Sequence, residues 1–236
     1  MKKILITIIS VAAILLSTGA AYAEKPPFSI GTNVVSKYVY RGTALSAGPS
    51  IQPGAEVALG GFALGTWASV DMANPASAMP SELDLYLSYS IGGFSAAVTH
   101  LYYFGDTKYF GDATQTEVKL AYTISEDIPL SISWFTMVGG TEKGWDAENP
   151  DKKCFSSYIE LAYCQTLKND LSLTYIVGMS PWTGCWGEGF TVPNLSVRAD
   201  YEISLGEKCS MGTFLQPVYN TVTSDFNCVL GCGFWF

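Results

Sequence analysis

Apolar and polar residues alternate with a period of two through most of this chain, most cleanly over residues 82–91. There Leu83, Leu85, Leu87, Tyr89 and Ile91 interleave with Glu82, Asp84, Tyr86, Ser88 and Ser90. Successive strand side chains point to opposite faces, so each such segment carries its apolar set on one side. Twelve segments of this kind can be read, at 28–40, 50–59, 62–71, 82–91, 94–104, 115–124, 130–138, 155–166, 171–177, 194–204, 210–219 and 226–236. Hydrophobic residues make up 48% of the chain and charged residues 14%. Yet beyond the first 23 residues no apolar run approaches the ~20 residues that a membrane helix needs. A barrel in lipid demands this combination, because lipid-facing and lumen-facing side chains alternate along every strand.

The connections between these segments sort by length. Short ones fall at 60–61, 92–93, 125–127, 167–170 and 205–208. Longer ones fall at 41–49, 72–81, 105–112, 139–153 and 181–191, with 220–225 intermediate. Gly60-Gly61 and Gly92-Gly93 read as two-residue hairpin turns. Short turns at one end and long loops at the other are the pattern of outer-membrane barrels, whereas a β-sandwich has no reason to sort its connections. The expected fold is all-β, a closed antiparallel transmembrane β-barrel of about twelve strands with short periplasmic turns and longer extracellular loops.

Both termini fit that reading. Lys2 and Lys3, the apolar run from Ile4 to Leu16, and Ala21-Tyr22-Ala23 form the three parts of a secretory signal over residues 1–23, leaving a barrel domain over 24–236. The last strand places Phe226, Cys228, Leu230, Cys232, Phe234 and Phe236 on one face. A terminal strand ending in Phe resembles the assembly signal of outer-membrane barrels. The expected location is therefore the outer membrane, with its lipid and the barrel-assembly machinery as partners.

Removing Lys2 and Lys3 from 13 basic residues leaves 11 against 21 acidic ones, which argues against a nucleic-acid partner. The six cysteines form no CxxC pair, and His100 is distant from them in sequence, so a zinc site has no support. No phosphate-binding glycine loop or paired-histidine metal motif appears, and no cofactor is implied. Cys154 and Cys185 lie near the outer ends of neighbouring hairpins, where a disulfide between two long loops is expected.

Tyr38-Val39-Tyr40-Arg41-Gly42, Pro49-Ser50-Ile51-Gln52, the stretch from Gly60 to Ser69, and Glu82-Leu83-Asp84-Leu85-Tyr86 resemble the opening of the TorF family of porins, also called the Gcw_chp family. The resemblance covers residues 30–104, with Tyr158-Ile159-Glu160-Leu161 and the terminal Phe beyond it. It implies an outer-membrane barrel with a transport role and no established catalytic residues. The Trp-rich segment from Pro181 to Trp186 is foreign to that pattern.

The inward faces of such a barrel collect the candidate pore-lining residues Lys37, Glu56, Asp84, Glu117, Lys119 and Glu160. Arg198, Asp200 and Glu202 join them, with Arg41 at one mouth. Carboxylates outnumber cations, so an open lumen is expected to pass small polar solutes or ions and to prefer cations. The same charges can instead pair and fill the barrel, giving a structural or surface-interaction barrel. A barrel-type lipid-modifying enzyme is the remaining alternative. His100 is the one histidine, and no serine lies two residues away on its face, so a hydrolase triad has no support. The aromatic residues near strand ends, Tyr38, Tyr40, Phe62, Tyr89 and Phe94 among them, are expected in interfacial girdles.

Deleting Phe236 or replacing it with Asp is expected to reduce the yield of heat-modifiable, membrane-inserted barrel. An unchanged yield would show that the last residue has no part in assembly.

Overall fold

The computed structural model describes residues 28–73, 81–104, 114–140, 154–167, 171–205 and 210–236. The expected signal segment and most of the loops at 72–81, 105–112 and 139–153 lie outside them. The described elements are β1 (Phe28–Val35), β2 (Val39–Tyr40), β3 (Thr43–Ala44), β4 (Ser50–Leu59), β5 (Phe62–Asp71), β6 (Ser81–Ile91) and β7 (Phe94–Phe104). They continue with β8 (Thr114–Thr123), β9 (Leu130–Gly140), β10 (Ser157–Thr166), β11 (Leu171–Ser180), β12 (Thr191–Ser204), β13 (Ser210–Asn220) and β14 (Asp225–Trp235).

Twelve of these strands close a barrel. Each pairs antiparallel with its sequence neighbours, and β1 pairs with β14 on one side and β4 on the other, which joins the ends of the sheet. Closure gives every strand two neighbours, so no edge is left with unpaired backbone groups in hydrocarbon. The strand ends joined by the five short connections lie at one end of the barrel, the turn end, where Phe28 and Phe236 also sit, and the strand ends joined by the longer connections lie at the other, the loop end. At the turn end Gly60 and Gly92 adopt φ of 58° and 56°. These left-handed values let Leu59 face Phe62 and Ile91 face Phe94 across two-residue turns.

The alternation read from sequence sorts the two faces. Leu59, Phe62, Leu64, Ile91, Phe226 and Phe236 are each more than half exposed on the outside, whereas Glu56, Asp84, Glu117 and Glu160 are at most 4% exposed on the inside. An apolar exterior around a charged interior is the arrangement of a protein whose outer solvent is lipid.

The first segment departs from expectation. The strand ends at Val35 rather than running to residue 40, and the chain then turns into the lumen. Ser36 still holds β14, its N–H donating to Leu230 O and its Oγ accepting from Leu230 N. Beyond it β2 and β3 form a small hairpin inside the barrel. Tyr38 and Tyr40 therefore leave the expected interfacial girdle and pack inward against Trp67, Trp235 and Leu45. Phe62, Tyr89 and Phe94 stay on the outer surface, where the Phe62 and Tyr89 rings lie 4.6 Å apart.

An epitope inserted after Glu188 or Thr223, at the loop end, is expected to bind antibody on intact cells, and one inserted after Asp127, at the turn end, to bind only after lysis. The reverse pattern would invert the orientation.

Candidate functional site in the lumen

The inner hairpin crosses the lumen. Its tip is the pair Arg41-Gly42, with φ of 49° and 89°, between Tyr40 and Thr43, which pair across it. Two successive left-handed residues are the signature of a type I′ turn, which usually carries Asn-Gly. Arginine at the first position is strained by about 1–3 kcal/mol. A Cβ on Gly42 would collide with the Pro193 carbonyl, so the tip reaches the β12 wall. Asn220 Nδ2 also donates to Gly42 O at 3.3 Å.

The root of the hairpin is fastened on the opposite side. Tyr38 N donates to Ser46 Oγ at 2.7 Å, and Ala47 N donates to Asp71 Oδ2 at 2.9 Å. Tyr38 Oη donates to Glu82 Oε2 at 2.9 Å. Burial, and then the Glu82 carboxylate, push the Tyr38 phenol well above its ordinary pKa, so it serves as a donor throughout the physiological range.

Arg41 is the centre of the site. Its two terminal nitrogens donate to both Glu117 oxygens, at 2.6 and 2.9 Å, and both residues are buried. Its guanidinium carbon lies 4.1 Å from the Phe135 ring centre, 4.6 Å from Tyr40, 4.7 Å from Tyr158 and 4.9 Å from Trp186. Burial opposes the charge, but Glu117 together with Tyr40 and Tyr158 outweighs it and holds the guanidinium pKa above its usual value. A bidentate carboxylate and four desolvated ring faces make a strong cation site.

Local sequence explains how the wall is shaped for this. The β8–β9 ladder slips by one residue between Thr116 opposite Gly139 and Glu117 opposite Met137, leaving Val138 as an extra residue. Such a bulge re-aims neighbouring side chains, here Glu117 and the inward pair Phe135 and Met137. On β11, Gly178 leaves room for the Tyr158 ring, which a Cβ there would strike. Tyr158 is further held by Asn194 Nδ2 at 3.0 Å, and its hydroxyl lies 3.2 Å from Glu160 Oε2. Trp186 comes from the 181–190 connection, anchored where Cys185 N donates to Ser156 Oγ at 2.8 Å. The Cys154–Cys185 disulfide expected from the sequence is not made, although Trp182 Nε1 donates to Cys154 O across the same two segments.

A family comparison now places the chain. The family model described as a bacterial protein of unknown function (Gcw_chp) matches residues 20–183, more than half of the sequence. The chain belongs to the Gcw_chp family. No curated protein matches it in sequence. Among solved structures, the KdgM porin is similar at 12% identity, covering 88% of this chain and 98% of that one with a TM-score of 0.51. The outer membrane phospholipase A from Escherichia coli matches at 9% identity, 88% and 92% coverage and a TM-score of 0.43. The Salmonella typhi outer membrane phospholipase dimer with bound calcium matches at 10%, 96% and 97%, with a TM-score of 0.43. Identity this low speaks to the fold alone.

In this Gcw_chp barrel the expected lumen residues fall into three groups. Arg41, Glu117, Lys119 and Glu160 gather at the tip of the hairpin, with Lys119 Nζ 5.4 Å from the Phe135 ring centre. Arg41 is thus deep inside rather than at a mouth. Asp84 stands beside Glu82 and opposite Trp67, and Glu56 accepts from Tyr86 Oη at 2.9 Å. Arg198, Asp200 and Glu202 line β12, where Arg198 Nε donates to Asp200 at 2.8 Å and its guanidinium stacks 3.6 Å from the Phe214 ring centre. Lys37 reaches Asn227 Oδ1 at 3.4 Å. Around Lys37, Tyr38, Gln52, Trp67, Arg198 and Phe214 a cavity of about 60 Å³ remains, room for a few waters.

His100 lies on the outer surface between the inward residues Thr99 and Leu101, with Nδ1 3.3 Å from Thr116 Oγ1. The aromatic cage was not foreseen. Gly42 after Arg41 is the one local signal that could have marked a tight turn here, and nothing local marks Phe135, Tyr158 and Trp186 as neighbours.

Replacing Glu117 with Gln leaves Arg41 buried without its partner and is expected to destabilise the barrel by about 3–5 kcal/mol. Urea unfolding in lipid vesicles measures this; a loss below about 1 kcal/mol, the level of an exposed pair, would show that the contact is not buried in the membrane-inserted protein.

Proposed function

We propose that this protein is a porin-like channel of the outer membrane, passing small polar solutes or ions, preferring cations, and throttled by its own inner hairpin. The observation that carries the reading is the polarity of a lumen wall deep inside the barrel. Asn33 Nδ2, Trp67 Nε1, Asp84 Oδ1, Ser133 Oγ, Glu160 Oε1 and Asn194 Oδ1 are buried and find no hydrogen-bond partner among the described residues. In a dry interior each would cost about 1–3 kcal/mol, so the wall suits a hydrated lumen. Several inward residues toward the turn end are small and half-buried, Ser88, Ser95 and Ala97 among them, whereas Phe135, Met137, Tyr158 and Trp186 pack together around the hairpin tip.

Cation preference rests on charge. Arg41 pairs with Glu117 and Arg198 with Asp200, and the other inward charged residues, Glu56, Asp71, Glu82, Asp84, Glu160 and Glu202 beside Lys37 and Lys119, are mostly acidic. Confined carboxylates in a low-dielectric wall concentrate counter-ions. The apolar exterior and the expected signal segment support outer-membrane placement, and the likeness to a porin supports the channel at the level of fold. The reading assigns no catalytic residue. The filled loop end favours one other reading, a closed barrel with a structural or surface role, and conduction separates the two.

In planar bilayers, deletion of Val39–Ala44 is expected to raise single-channel conductance several-fold over the native chain. Its reversal potential in a salt gradient should report cation preference, and a Glu82→Gln/Asp84→Asn double substitution should reduce it. Silence from both the native and the deleted barrel would favour the closed reading, and anion preference would overturn the charge assignment.

A further inference from the structure

We propose that the cage around Arg41 is a recognition site for guanidinium-bearing solutes, which the chain's own Arg41 occupies in the closed barrel. The proposal rests on the reading of the lumen as a passage.

The site belongs to the wall and not to the hairpin. Glu117 comes from β8, Phe135 from β9, Tyr158 from β10, and Trp186 from the connection before β12; the hairpin supplies only Tyr40 and the occupant. With the hairpin withdrawn, three ring faces and a carboxylate would still converge. Tyr158 keeps its place through Asn194, Glu160 and the space above Gly178, none of which involves the hairpin.

The chemistry selects a flat, delocalised cation. Two parallel N–H groups are needed to engage both Glu117 oxygens, and a planar face is needed to lie against the rings. A guanidinium meets both demands at once, whereas an ammonium is a compact, strongly hydrated point charge without a planar fork.

Arg41 is also a constrained occupant. Its backbone is left-handed, at φ 49°, and its Nε is buried without a hydrogen-bond partner among the described residues. A free guanidinium carries no backbone strain and can turn to place its donors. Past Lys119 and Glu160, the turn-end side of the same strands carries small inward residues, Ala121 on β8, Ser131 and Ser133 on β9, and Ala162 on β10. A solute guanidinium arriving there competes with a tethered rival whose effective concentration is on the order of millimolar. Capture of the cage by the solute frees the hairpin tip, so recognition and opening are one event.

The test uses full-length barrel refolded in detergent, with methylguanidinium as the probe and methylammonium as its control, read by titration calorimetry. Arg41→Ala should bind methylguanidinium saturably, at least tenfold more tightly than the native chain and tenfold more tightly than it binds methylammonium. Adding Glu117→Gln should abolish that binding. If Arg41→Ala does not yield heat-modifiable barrel, Arg41→Lys supplies a poorer internal competitor, and its affinity should exceed that of the native chain. Equal affinity for the two probes, or binding that survives loss of the Glu117 charge, overturns the proposal. Selective binding in a barrel that never conducts would uphold the cage and overturn the channel; conduction without selective binding would do the opposite.

Discussion

Every feature of this protein depends on closure of the sheet at β1. That strand is eight residues long and is hydrogen-bonded on both sides, to β14 and to β4. Hydrocarbon offers no partner to an exposed N–H or C=O, so a sheet with a free edge could not stand in the bilayer. Once the ring is shut, the period-two alternation has only one consequence. One face of each strand must meet lipid and the other must meet whatever fills the lumen, and a slip of one residue would reverse every side chain.

The shortness of β1 is what fills the lumen. A strand continuing to residue 40 would have placed Tyr38 and Tyr40 toward the lipid. By leaving the wall at Val35, the chain brings fourteen residues, 36–49, back into the space that the other strands enclose. Their Tyr, Leu and Arg side chains meet an aromatic interior, with Trp67, Phe135, Tyr158, Trp186 and Trp235 all buried. The strain of a left-handed arginine is offset by contacts that a surface loop could not make: a bidentate ion pair shielded from water and a guanidinium enclosed by rings.

The charges inside the barrel illustrate how pairing changes the meaning of a residue. Glu117 alone on an inward strand face is a cation-attracting group. Glu117 beneath Arg41 is half of a neutral contact that holds a hairpin, and Asp200 beside Arg198 is half of a second ion pair within β12. Asp71, which also faces inward, accepts from Ala47 N and Ala73 N and secures loop backbone. Other inward carboxyls are tied to hydroxyls, Glu56 accepting from Tyr86 and Glu82 from Tyr38.

The wall was legible in the sequence because its code is local. Alternation fixes which side chains share a face, Gly60-Gly61 and Gly92-Gly93 fix two turns, and the sorting of connection lengths fixes which ends of the strands lie together. Each of these depends on residues within about ten positions of one another, and the lipid environment leaves a chain with that pattern almost no alternative to closure. The interior was not legible in the same way. Val39 and Tyr40 keep the period of a strand, so nothing nearby announces that β1 stops at Val35. Arg41 finds Glu117 76 residues later, and the rings that enclose it come from β9, β10 and the connection before β12. A cation cage is a property of distances between strands, and only the closed barrel, which sets those distances, decided that these residues meet.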